Sequence, residues 1–262
     1  MPGNSSPQLR PLSDRMPDHE GADTPSPGAT DFLTFAIGDV HGCLEKLRAL
    51  LDHCRRFAAD RRARFVFVGD YVDRGRDSKG VIELLQRFQH ERHDVICLRG
   101  NHEAMMIEAA LSPDPRSLVQ WLVNGGGATL ASYGVHHPAD VPPSHLKWIA
   151  SLPFSFDDGR RFFVHAGVNP SLPLDAQSEE DQVWIREPFL SSSRDFGRLI
   201  VHGHTPVLDG RPDLRRNRLN IDTAAVLGGP LTAAVFTSDR TEPIAYLTHL
   251  GRETEAATLP RP

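Results

Sequence analysis

Five short stretches of this chain carry residues able to hold metal ions or move protons. They are Gly38-Asp39-Val40-His41-Gly42, Gly69-Asp70-Tyr71-Val72-Asp73-Arg74-Gly75, Gly100-Asn101-His102-Glu103, His165-Ala166-Gly167 and Gly203-His204-Thr205. Carboxylate, imidazole and amide oxygen together suit first-row metals such as manganese, iron or zinc better than calcium or magnesium. The chemistry centres on Asp70. A short carboxylate at a strand end can bridge two ions about 3.5–4 Å apart, the spacing at which paired metals activate water and clamp a displacement. Two divalent ions, balanced by Asp39, Asp70 and a bridging hydroxide, leave roughly one positive charge, which favours a phosphate dianion.

Taken singly, each piece has a plainer reading. A Gly-Asp pair after a strand is commonly a turn, and His165 alone would be a hydrogen-bonded core histidine. Asn101 would serve as a helix cap or left-handed turn residue, and Asp73-Arg74 as a surface ion pair worth little. Their joint occurrence at five strand ends is what argues for one constellation. His202 shares the face of His204 on a strand but ranks below it, because Gly203-His204 opens the turn. The other histidines, His53, His90, His93, His136, His137, His145 and His249, lie on helical or loop stretches and read as surface.

The elements that must position these groups are legible as periodicities. Phe32–Ile37 reads as a buried strand leading into Asp39, followed by Leu44, Leu47, Leu50 and Leu51 at helical spacing. Arg64–Val68 leads into the Asp70 motif, then a helix from about Ser78 with Asp77 or Ser78 as N-cap. Asp94–Leu98 leads into Asn101 and a helix through Ile107. Strand, motif and helix, repeated three times, argue for a mostly parallel sheet with helices on its face. Arg116 to Asn124 reads as a short helix stopped by Gly125-Gly126-Gly127, and Pro142–Ser151 as another. From Phe154 onward short β runs alternate with turn chemistry, and two of them end at His165 and at His202–His204. The expected organisation is an N-terminal extension over 1–30, one domain over 31–250, and a frayed tail over 251–262.

Composition bounds the function. Charged residues make up 24% and hydrophobic residues 39% of 262 positions, as in an ordinary globular protein. A formal net charge of −5 supplies no basic footprint for nucleic acid. Nothing approaches the roughly 18 unbroken apolar residues of a membrane helix, and the first thirty residues hold no apolar signal core. Three cysteines, Cys43, Cys54 and Cys97, without paired spacing suggest a reducing compartment, so a cytoplasmic protein is expected. The sequence supplies no oligomeric state.

From Leu33 to Phe236 the five motifs, in this order, resemble the calcineurin-like metallophosphoesterase superfamily, and within it the PPP-type serine/threonine protein phosphatases. The resemblance extends to the bacterial and phage λ type through Trp184-Ile185-Arg186 and the stretch from Trp121 to Gly126. It implies an α/β sandwich of two mixed sheets flanked by helices, with a dinuclear metal site at strand ends. It implies that Asp39, His41 and Asp70 hold one metal ion, and that Asp70, Asn101, His165 and His204 hold the other. Manganese is the first choice, with iron or zinc as alternatives. His102 would protonate the leaving oxygen, with Asp73 hydrogen-bonded to it. Arg74 and Arg186, assisted by Arg99, would clamp the phosphate, a role that suits a planar fork better than lysine. The implied reaction is hydrolysis of phosphoserine or phosphothreonine in proteins, or of small phosphoesters, by in-line attack of a metal-bridging hydroxide. The alternatives are a symmetrical bis(5'-nucleosyl)-tetraphosphate hydrolase and a non-catalytic scaffold of the same fold. Pro206 stands where many members of the superfamily have a further histidine. The Asp222-Thr223-Ala224-Ala225 stretch has alanine where related bacterial sequences commonly have glycine, so the backbone there is expected to differ slightly. The tyrosine loop that covers the site in eukaryotic relatives is not recognisable here.

Overall fold

The computed structural model describes residues 32–256; the expected N-terminal extension, and residues 257–262 of the expected tail, lie outside the described residues. The first third folds as its periodicity dictates. β1 (Phe32–Ile37), β2 (Arg62–Phe67) and β3 (Val95–Cys97) pair in parallel, with α1 (Leu44–Ala58), α2 (Ser78–Glu91) and α3 (Asn101–Leu111) following each in turn. α1 turns Leu44, Leu47, Leu50, Leu51 and Cys54 inward. Asp77 caps α2, its Oδ1 accepting from the Gly80 amide at 2.8 Å.

Then come α4 (Pro115–Trp121), which continues in helical geometry to Asn124 and breaks at Gly125, α5 (Gly127–Tyr133) and α6 (Pro143–Ala150). The second half contributes β4 (Ser155–Asp157), β5 (Arg161–Val164), α7 (Glu179–Trp184), β6 (Leu199–His202), β7 (Asp213–Leu214), β8 (Arg218–Asn220), β9 (Thr232–Thr237), β10 (Ala245–Thr248) and β11 (Glu253–Glu255). They make two sheets, ordered β11-β10-β9-β1-β2-β3 and β4-β5-β6-β8-β7. Both are mixed. β9 runs antiparallel to β1 and to β10, so the mostly parallel sheet read from the first third holds only for β1–β3. In the second sheet β5, β6 and β8 are parallel and the edge strands β4 and β7 antiparallel.

The two-residue side-chain period sorts the strands into layers. Phe35, Ile37, Phe65, Phe67, Ala233 and Val235 face α1 and α2 in the larger core. Their neighbours Ala36, Val66, Val68, Ala234 and Phe236 face the other way, against Phe163, Leu199, Val201, Leu219 and Ile221 of the second sheet. Phe163 meets Phe236 across that seam edge to face, with ring centroids 6.3 Å apart. Phe162, Val164 and Ile200 cover the far side with Ile185 and Phe189.

The triple glycine stops the helix as expected: Gly125 leaves helical geometry, at φ 106°, and a separate helix, α5, begins at Gly127. One expectation is corrected. Glu253–Glu255, inside the stretch expected to fray, pairs antiparallel with β10 as an edge strand.

Ala224 adopts the left-handed conformation, φ 59° and ψ 42°, so the backbone expected of a glycine is kept by a residue that resists it. A left-handed L-residue costs about 1–2 kcal/mol, part of which glycine returns through its own entropy. Ala224→Gly is therefore expected to stabilise the fold by about 1 kcal/mol, raising the melting temperature by roughly 2–4 °C; calorimetry checks this, and an unchanged or lower value would contradict the strain.

Candidate metal centre

The five motifs converge where the two sheets meet. The ends of β1, β2 and β3 deliver Asp39 and His41, Asp70, and Asn101 and His102; β5 and β6 deliver His165 and His204, and all seven side chains are buried. The loops that carry them are locally strained. Of the seven non-glycine residues with positive φ among the described residues, five belong to the site: His41, Asp70, Asp73, Arg74 and His204. Such residues persist only where the surroundings over-determine them, and they cluster at functional sites.

Asp70 sits between two sets of imidazoles. Its Oδ2 lies 3.3 Å from His41 Nε2 and 3.9 Å from His102 Nε2, and its Oδ1 lies 3.3 Å from His165 Nε2. Ligand-competent atoms cluster as His41, Asp70 and His102, and as Asp70, His165 and His204, so the carboxylate is common to both groups. Asn101 Oδ1 completes the second group, 2.8 Å from His165 Nε2 and 3.0 Å from His204 Nδ1. Asp39 closes the first side differently from the other ligands, with Oδ2 accepting the His204 amide at 3.0 Å.

The donor set can be tested for a metal from its own lone pairs. Only a donating Nδ1–H fits the Val72 carbonyl 2.8 Å from His41 and the Val68 carbonyl 3.0 Å from His165. Both neutral rings therefore turn a bare Nε2 toward Asp70, and His165 Nε2 also faces the Asn101 oxygen. Asp39 Oδ1 and His204 Nε2 are buried without a partner. Burial holds the His165 and His204 rings below the usual imidazole range, His204 down to about 3, which keeps them in the ligating form. Burial would raise the Asp70 carboxyl, and only positive charge at His165, His102 and His41 holds it well below its ordinary value. Neutral, ligating rings do not carry that charge; cations at their Nε2 atoms would supply it. Burial, then the charges of Asp222 and Asp70, push Asp39 well up. Lone pairs and carboxylates converging with too little positive charge are what divalent cations satisfy. The residues fit.

Beside the cluster lies a buried, hydrogen-bonded imidazole–carboxylate pair. His102 Nδ1 stands 2.7 Å from Asp73 Oδ2, leaving Nε2 to face the site. Arg74 is exposed at the rim and reaches back, its Nη1 2.9 Å from His41 Nε2. Arg186 is also exposed, and its charge is felt at His204. Arg99 departs from expectation. Its guanidinium donates to the Ala150 carbonyl at the end of α6 and covers the Phe154 ring at 4.6 Å, so the structure ties it to α6 and not to the phosphate side.

His202, ranked below His204 as a ligand, is a core residue: its Nδ1 faces the Gly203 carbonyl and its ring packs on Phe189. Three histidines read as surface are structural instead. His145 is buried against the Tyr133 hydroxyl, His53 donates to the Thr248 carbonyl, and His249 accepts the Leu231 amide.

Sequence reading assigned no role to several residues that build the site. Glu103 is fully buried and gathers four backbone amides, those of Gly100, Asp70, Tyr71 and Val72, tying the Asp70 loop to the start of α3. Burial and the Asp70 charge push its carboxyl up to about 7 against those donors. Asp222, just past β8, brings a fifth buried carboxylate, and its Oδ1 accepts the Ala224 amide. Trp184 lies edge-on to His204 at 6.0 Å. Glu103 had a local signal in its motif; the others meet the site only through tertiary contact.

A profile of the calcineurin-like phosphoesterases matches residues 33–229. Serine/threonine-protein phosphatase 1 of Salmonella typhimurium is 30% identical over 208 residues, covering 76% of this chain and 90% of the relative. The asymmetrical bis(5'-nucleosyl)-tetraphosphatase PrpE of Geobacillus thermodenitrificans is 28% identical over 224 residues, covering 75% of this chain and 87% of the relative. Among solved structures, the cold-active protein-tyrosine phosphatase of a psychrophilic Shewanella shares the fold, with a TM-score of 0.61 at 17% identity, over 86% of this chain and 82% of that one.

Proposed function

The chain belongs to the calcineurin-like phosphoesterase family, and from that premise we propose that it hydrolyses phosphoserine and phosphothreonine in proteins as a metal-dependent phosphomonoesterase. The observation that carries this reading is the buried His102–Asp73 pair beside the metal ligands. A serine or threonine alkoxide is a poor leaving group and needs a proton in the transition state. A nucleotide leaving from a polyphosphate needs one far less.

Asp39, His41 and Asp70 would hold one divalent ion, and Asp70, Asn101, His165 and His204 the second. Two such ions supply Lewis acidity toward the phosphoryl oxygens and activate water at neutral pH. Manganese is preferred, with iron or zinc compatible with the same donors. Arg74, which reaches His41 from the rim, and Arg186, exposed there, offer planar forks to the phosphate oxygens. Asp73 fixes the proton on His102 Nδ1, so the proton passed to the leaving oxygen comes from Nε2. Three unpaired thiols, two of them buried, suit a reducing cytoplasm.

The likeness to PrpE supports a second reading, hydrolysis of a dinucleoside tetraphosphate. A phosphoserine peptide and diadenosine tetraphosphate, each assayed with manganese, separate the two. The peptide is expected to give the higher kcat/KM, and EDTA to abolish turnover of both. A strong preference for the dinucleotide would transfer the assignment to the second reading.

A further inference from the structure

The acid pair is itself held by residues 121–129, part of which the sequence marks only by resemblance, with no role attached. Asp73 is completely buried, and three side chains close around its carboxylate. Trp121 Nε1 donates to Asp73 Oδ2 at 2.9 Å, the same oxygen that accepts His102 Nδ1, and Thr129 Oγ1 donates to Oδ1 at 2.7 Å. The Asp73 amide is bound in turn by Thr129 Oγ1 and Ser78 Oγ. A buried carboxylate needs its lone pairs satisfied, and here the indole and the imidazole share one oxygen and fix the plane of the group.

The helix break at Gly125 explains how the indole gets there. Trp121 lies one turn before the break, and its ring packs on Gly126, where a Cβ would overlap Cδ2 and Cε2. Gly125, at φ 106°, turns its carbonyl to the Arg74 amide at 3.2 Å. One segment thus contacts both neighbours, Asp73 through Trp121 and Thr129, and Arg74 through Gly125.

We infer that Trp121 is a positioning residue for proton donation: it orients Asp73 so that His102 faces the leaving oxygen, and Gly126 is required so that the ring can lie there. The inference rests on the general-acid reading of His102 and Asp73. Its action reaches the substrate only through those two residues, so its signature is a dependence on how badly the leaving group needs a proton.

The test uses two variants of the full chain with manganese. Trp121→Phe keeps most of the ring and loses the N–H. Gly126→Ala keeps Trp121 but crowds it, and the backbone at Gly126, φ −58° and ψ −24°, accepts alanine without strain. Both are expected to lose about tenfold more kcat on phenyl phosphate than on p-nitrophenyl phosphate, with metal content and KM little changed. Equal losses on the two esters, or none on either, would overturn the positioning role. An independent readout is the Trp121 indole proton in a ¹⁵N-resolved NMR spectrum. It is expected downfield and protected from exchange in the native chain, and shifted in Asp73→Asn; a freely exchanging indole insensitive to Asp73 would overturn the inference whatever the kinetics. His102→Asn on the same two esters isolates the underlying reading, because equal losses there would remove general-acid catalysis itself and this inference with it.

Discussion

His102→Asn is expected to cut turnover of a phosphoserine peptide by about 10²–10⁴-fold, the usual worth of a general acid. The loss should shrink on p-nitrophenyl phosphate, whose leaving group departs without a proton. Asparagine is the suitable replacement because its amide can still face Asp73, which ordinarily receives the imidazole at 2.7 Å. Metal content should stay near that of the native chain, since His165, His204, His41 and both aspartates are untouched. Parallel kinetics on the two substrates, with metal analysis of the same preparation, check all of this. A loss that is the same on both substrates would mean that the imidazole serves the metal ions or the fold and donates no proton; His102 Nε2 does stand 3.9 Å from Asp70.

Asp70→Asn should fail in the opposite way, by losing metal first. The carboxylate is common to both groups of potential ligands, with one oxygen toward His41 and the other toward His165. Asparagine keeps an acceptor for the His102 amide, 3.1 Å away, so the loop need not collapse. It removes a negative charge from between the two positions. The expected result is loss of at least one ion per chain. A bound ion contributes several kcal/mol to the transition state, so at about 1.4 kcal/mol per tenfold, activity should fall by roughly 10²-fold or more. Elemental analysis of the purified variant decides the matter. Full retention of both ions would show that Asp70 is a neighbour of the metals and not their bridge.

Much of the site was legible in the sequence because each motif is local. Phe32–Ile37 stands as expected from its apolar run, and Asp39, Asp70 and Asn101 follow strands that their own turn chemistry ends. What the motifs could not reveal is held by contacts between distant residues. Trp121 and Thr129 reach Asp73 across 48 and 56 positions, and no periodicity encodes such a pairing. The triple glycine was legible as a stop, and the helix breaks at Gly125. That Arg74 and Trp121 approach Gly125 and Gly126 too closely for a Cβ was not, because those neighbours come from elsewhere in the fold. Arg99 misled: its place beside a ligand motif suggested phosphate, and the carbonyl end of α6 took the guanidinium. At Ala224 the departure from glycine was visible, but only the structure showed that the left-handed backbone survives it. β7 and β11, two and three residues long, are too short for any alternation to register.

The proposed ligands are divided between the two layers of the sandwich: Asp39, His41, Asp70 and Asn101 follow strands of the first sheet, His165 and His204 strands of the second. The half-sites are complementary, and neither is complete alone. Cations bound there would act as rivets through the stack, and their hold would depend on how well Val66 and Val68 mesh with Phe163 and Val201 below. A slip of one layer over the other, by no more than the width of a methyl group, would part the ligand set while leaving every loop in its own shape. The working unit of this protein is accordingly the fit between its two halves, and mechanical tightness deep in the stack is the property on which its surface chemistry draws.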